Sequence, residues 1–152
     1  MKKTMFWIIL ALASGSLLGK YTFDTYENIE VSNVISINDK VYMLKYGTYG
    51  NIEQMVDEIT DIDRYIYIEE ENKVTAYIGI ATTKENINKI KSIYDKKGII
   101  TSVQKLTISN DEFIQNLNEY EKLLSATEDD TSLIIIQKQI LSCYEELVAN
   151  NE

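Results

Sequence analysis

Two stretches of this chain, "VYMLKYGTYGNIEQM" (residues 41–55) and "VTAYIGIATTKENINKI" (residues 74–90), follow one pattern: a strand-like run reaches a glycine, and a polar turn then opens a helix. Tandem strand–helix units leave few topologies open, because consecutive elements pack as neighbours. Asn51 with Gln54, and Thr82 with Glu85, have the spacing of a helix-opening box, in which two polar side chains satisfy the first free amides. Between the units, "RYIYIEE" (64–70) alternates with period two, and "ENK" supplies a turn into the second unit. Ile87, Ile90, Ile93 and Tyr94 give the second helix an apolar stripe, Gly98 marks its end, and "IITSVQKLTIS" provides a last strand. The predicted order is β-α-β-β-α-β. It describes an α+β domain over residues 40–109, a four-stranded antiparallel sheet with both helices on one face, in which Gly47 and Gly79 are structural turn residues closing the first strand of each unit.

A helical extension follows over residues 110–152. Ser109 and Glu112 open a helix with Phe113, Leu117, Tyr120 and Leu124 on one face. After the break at "TEDD", a second helix carries Leu133, Ile136, Ile140, Tyr144 and Leu147. The pair reads as a helical hairpin that packs on itself and on the domain, with "LIII" broad enough to offer a site to a protein partner. Cys143 reads as a small packed residue.

At the other end, Lys2 and Lys3 precede an apolar run from Met5 to Gly19. That run spans about 22 Å as a helix, and extension to Phe23 brings it near the roughly 30 Å of a hydrocarbon core. Residues 1–23 are therefore expected to form an uncleaved single-pass membrane anchor with its N-terminus in the cytoplasm. Cleavage after Ala13 is the alternative. Residues 24–39 would be a juxtamembrane tether, and the folded part would lie outside the cytoplasm.

Charge and chemistry narrow the function. With 24 acidic and 15 basic residues and a net charge of -9, the chain repels a nucleic-acid backbone. It has no histidine and one cysteine, which removes Ser-His and Cys-His nucleophile pairs and soft metal sites. The acidic runs Glu69–Glu71 and Glu128–Asp130 read as solvated turns. No enzyme activity, metal or cofactor is expected.

With both helices on one face, the other face of the sheet would be open. Alternation assigns Ile66 and Ile68 to the core and Lys45, Tyr65, Tyr67 and Tyr77 to that open face, where rigid aromatic rings suit the apolar faces of sugars. Residues 40–109 resemble a SPOR domain, the sporulation-related repeat. "KYGTYGN" matches through Gly47 and Tyr49, and "YIGIATTKEN" through Gly79 and the acidic helix start. Lys45 replaces a glutamine of the family pattern, Tyr77 stands where an arginine is common, and Ala81 lacks the second aromatic. The resemblance implies noncatalytic binding of peptidoglycan glycan strands in bacterial cell division or sporulation, with Lys45, Tyr65, Tyr67 and Tyr77 as contacts. A cell-envelope scaffold that recruits a protein through the C-terminal helices is the alternative. The same strand order occurs in RNA-binding domains, which the acidic charge disfavours, and in ferredoxin-like metabolite-binding domains.

Overall fold

Alternation along one strand decides how the sheet is packed. In the computed structural model, which describes residues 39–149, β3 (Lys73–Ala81) is buried at every position from Ala76 to Ala81. Successive strand residues point to opposite faces, so both faces of this half of the sheet are covered. The expectation of helices on one face and an open second face is thereby corrected.

The remaining strands are β1 (Asp39–Tyr49), β2 (Ile66–Glu70) and β4 (Ser102–Ile108). The sheet order is β2-β3-β1-β4, with every neighbouring pair antiparallel. With α1 (Ile52–Glu58) after β1 and α2 (Lys84–Lys96) after β3, this is an α+β arrangement of roughly ferredoxin-like topology. Two further helices, α3 (Asp111–Ala126) and α4 (Asp130–Leu147), follow β4.

Each helix begins where a short polar side chain captures a free amide. Asn51 accepts from the Gln54 amide at 2.8 Å, Thr83 from Asn86 at 3.3 Å, Asn110 from Phe113 at 2.9 Å and Asp129 from Ser132 at 2.8 Å. The caps of α2 and α3 are thus Thr83 and Asn110, each one residue beyond the expected Thr82 and Ser109. Glycines 47 and 79 lie inside β1 and β3 and do not close them. The turn between β2 and β3 is made instead by Glu71 and Asn72, both at positive φ, 42° and 66°, as a two-residue hairpin loop requires.

One core joins all of these elements. Ile87, Ile90 and Ile93 of α2 are buried, each contributing about 1.5–3 kcal/mol before conformational entropy is counted. A side chain at Gly79 would meet Ile90 Cγ2 and Leu44 Cβ at 3.3 Å, so glycine there lets α2 approach the sheet. The buried stripes of α3 and α4 each contain one polar residue: Glu121 among Phe113, Leu117 and Leu124, and Gln137 between Leu133 and Ile140.

Those two residues join the helical pair to the rest. β2 reaches only as far as Tyr77 of β3, so the edge of β3 beyond it has no strand neighbour on that side. Gln137 takes that place. Its Oε1 accepts from the Ile80 amide at 2.8 Å and its Nε2 donates to the Ile80 carbonyl at 3.0 Å, as a neighbouring strand would. The Glu121 carboxylate accepts from the amides of Thr82 and Thr83 at 3.0 Å, from the Thr83 hydroxyl, and from Asn86 Nδ2 at 2.9 Å. It sits at the N-terminus of α2, where aligned peptide dipoles favour a negative charge. In return, Lys89 of α2 donates to the carbonyls of Leu124, Ser125 and Thr127 at 3.3 Å, at the C-terminal end of α3.

Among the described residues no helix is long and apolar enough to cross a membrane. The anchor expected over residues 1–23 and the tether up to residue 38 lie outside the described residues. With no span among the described residues, the single-pass, extracytoplasmic placement and the membrane as a partner are not retained.

Candidate functional site

The register of β2 on β3 separates the four residues expected to form one platform. Ile66 lies opposite Tyr77, and directly paired residues share a face, so Tyr67 points to the other side from Tyr77. Lys45 pairs with Tyr77 across β1 and β3, next to two register shifts in which Ile78 and then Tyr46 fall out of the pairing. The separation of Tyr67 from Tyr77 comes from the turn: a three-residue "ENK" turn would have put Tyr77 opposite Tyr67, but the turn is Glu71 and Asn72 alone. Tyr77 is also buried, and its hydroxyl donates to Gln104 Oε1 at 2.8 Å, reaching across β1 to β4. Burial, with the Glu70 charge as a smaller cause, raises its pKa above the ordinary tyrosine value.

Tyr67 falls elsewhere, on the outer strand of the sheet, and Tyr65 just before it. Tyr67 is 43% exposed, and Tyr65 is half-buried against the core. Both line a groove of about 640 Å³ that runs along residues 63–69 and is bounded on its other side by Tyr144, Glu145, Val148 and Ala149 at the end of α4.

The hairpin geometry fixes what β2 presents to that groove. Glu70 and Lys73 flank the two-residue turn and form its closing hydrogen-bonded pair. Hydrogen-bonded and non-hydrogen-bonded pairs alternate along an antiparallel ladder, so Ile68 and Ile66 also bond inward to β3. The main-chain N–H and C=O groups of Tyr67 and Glu69, and of Tyr65 just before the strand, therefore point out of the sheet. No described strand lies beyond β2. Among the described residues this edge is unpaired, and its sequence is aromatic and apolar. The opposite edge, β4, has the exposed Lys105 at its middle, a charge that discourages pairing there.

Charges close the groove at both ends. Arg64 forms an ion pair with Glu145 of α4, and its buried Nε has no partner. Asp63 accepts from Lys138 Nζ at 2.8 Å, and this bond holds its carboxyl below the usual aspartate range. At the far end stand the exposed Glu69, Glu70 and Glu71. Among the described residues no group of three or more His, Cys, Asp or Glu side chains is placed to hold a metal. The groove thus offers main-chain donors and acceptors and tyrosine faces, with an acidic run at one end and the Arg64–Glu145 and Asp63–Lys138 ion pairs at the other.

No family model, no curated protein and no solved structure matches this chain. The SPOR resemblance is therefore withdrawn. With it go glycan binding, the division or sporulation role and the cell-envelope scaffold alternative. The free edge of β2 escaped the sequence reading because it depends on which strand lies outermost. The alternation of "RYIYIEE" beside a short turn was the available signal.

Proposed function

We propose that this chain is a noncatalytic interaction module that takes up an extended segment by antiparallel strand addition at β2. The observation that carries this reading is the row of outward main-chain groups at Tyr65, Tyr67 and Glu69 beside the α4 groove. In strand addition the main-chain bonds supply affinity, and alternate side chains supply specificity. An antiparallel segment in this groove would meet Glu69–Glu71 with its N-terminal end, so it should be basic there; at its other end Arg64 and Asp63 are already paired with Glu145 and Lys138.

Selection of short random displayed peptides on the full chain tests this, with Tyr67→Pro as the comparison. Proline removes the outward amide of residue 67 without removing a bond to β3, and strand edges tolerate it. Peptides basic at their N-terminal end should bind the wild-type chain and lose binding to Tyr67→Pro. Equal binding to both, or no binding to either, would overturn the reading.

A further inference from the structure

The groove ends where the chain enters β2, at the two ion pairs to α4. We infer that Asp63 and Arg64 form a salt-sensitive latch: docked on α4 they close that end of the groove, and released they open it to the segment that β2 takes up. This inference rests on strand addition at β2 and supplies its regulation.

Asp63 and Arg64 are chain neighbours of opposite charge, and their partners Lys138 and Glu145 lie about two helical turns apart along α4. The two bonds lay this short stretch lengthwise on the helix. Beneath it is a cavity of about 50 Å³, bounded on the α4 side by Gln137, Lys138 and Leu141, so the stretch and the helix meet there without close packing. Ile62 and Ile66 on either side are buried and fix the ends of the stretch, which leaves residues 63–65 as the part that lifts. The helix itself is held independently. Ile140 and Leu141 are buried, Gln137 is bonded to Ile80, and Tyr144 meets the Phe113 ring edge-on at 5.4 Å. Opening therefore moves the latch and leaves α4 in place.

The docked and released forms are close in free energy. The four charged side chains are 35% to 82% exposed, and exposed ion pairs add little to stability and are screened by salt. Docking also carries a cost. The Nε of Arg64 is buried without a hydrogen-bond partner, and release returns that donor to water. Two small, screened attractions thus stand against the desolvation of one charged donor, so a modest change in ionic strength shifts the population. A segment that enters only the open form binds with an affinity scaled by the open fraction.

Arg64 is the only arginine of the chain, so the rate at which phenylglyoxal modifies it can be followed by mass spectrometry of the full chain. The docked guanidinium, bonded to Glu145 with its Nε buried, is protected, and the released one is not. Lys138→Gln is the decisive variant. It cuts the bond to Asp63, leaves the Arg64–Glu145 pair in place, and lies at a half-exposed position outside the groove lining. It should speed modification about twofold or more if the stretch lifts as a unit. Raising NaCl from about 0.05 to about 0.5 M should speed modification of the wild-type chain likewise, with N-acetylarginine as the reference. Displayed peptides selected on the chain should bind Lys138→Gln more tightly by the same factor, because the open fraction governs both. An unchanged rate in Lys138→Gln, or a wild-type rate indifferent to salt, would overturn the latch. A faster rate with unchanged peptide affinity would overturn its control of the groove and leave strand addition standing. If neither chain binds peptides, strand addition falls and its regulation falls with it.

Discussion

Replacing Gln137 with leucine removes the amide that stands in for a strand neighbour of β3. Leucine is close in size and Gln137 is 1% exposed, so the change leaves little void and little access for water. The Ile80 amide and carbonyl, bonded to the side chain at 2.8 and 3.0 Å, would both lose their partner. A buried polar group left unsatisfied costs about 1–3 kcal/mol, so the pair should cost roughly 2–6 kcal/mol, a large part of an ordinary domain's stability. Urea unfolding of the full chain followed by far-ultraviolet circular dichroism measures this directly as a fall in midpoint at constant slope. Gln137→Glu separates polarity from hydrogen-bond direction, since a carboxylate accepts from the Ile80 amide but repels its carbonyl. A carboxyl buried there is held neutral, so that variant should be most stable in acid and lose stability as pH rises through and above the carboxylate range. A loss below about 0.5 kcal/mol for Gln137→Leu would refute the role assigned to the amide.

Glu121→Gln keeps the shape but removes the charge that four donors approach. It should cost roughly 2–3 kcal/mol by the same unfolding assay, and a neutral result would show that the α2 N-terminus does not need a carboxylate. Tyr77→Phe should lose about 0.5–1.5 kcal/mol at neutral pH with the bond to Gln104. The folded-state pKa of Tyr77 is raised, so its contribution is complete below about pH 10 and is lost as pH rises further. Thermal melts between neutral and alkaline pH should therefore show a shallower alkaline decline for Tyr77→Phe than for the wild-type chain, and parallel declines would contradict this.

The strand and helix order was legible because it rests on local signals. Asn51 caps α1 with Gln54 behind it, Ile87, Ile90 and Ile93 fall on one face of α2, and the β2–β3 turn sits between two alternating runs. Faces of the sheet were not legible, since they depend on register. A three-residue turn at "ENK" would set Tyr77 opposite Tyr67, but the turn takes only Glu71 and Asn72, so Tyr77 falls opposite Ile66. The polar members of the α3 and α4 stripes were hidden for a related reason. In sequence Tyr120 and Ile136 fit those stripes better than Glu121 and Gln137, yet the former are half-buried and the latter buried. Only the main-chain groups waiting at Thr82, Thr83 and Ile80 explain that exchange. Those groups belong to elements 38 to 57 residues away along the chain. The candidate site has the same character: Tyr65 and Tyr67 could be picked out, but their outward main chains follow from pairing.

The reciprocal clasp between α2 and α3 has a consequence for local motion. Helix ends ordinarily fray first, each on its own, because their terminal amides and carbonyls lack intrahelical partners. Here the first turn of α2 is held by Glu121 and the last turn of α3 by Lys89, so loosening either end exposes a charged group of the other helix to an unmatched surround. The two helices should open as one cooperative unit, with the amides at these two ends exchanging together.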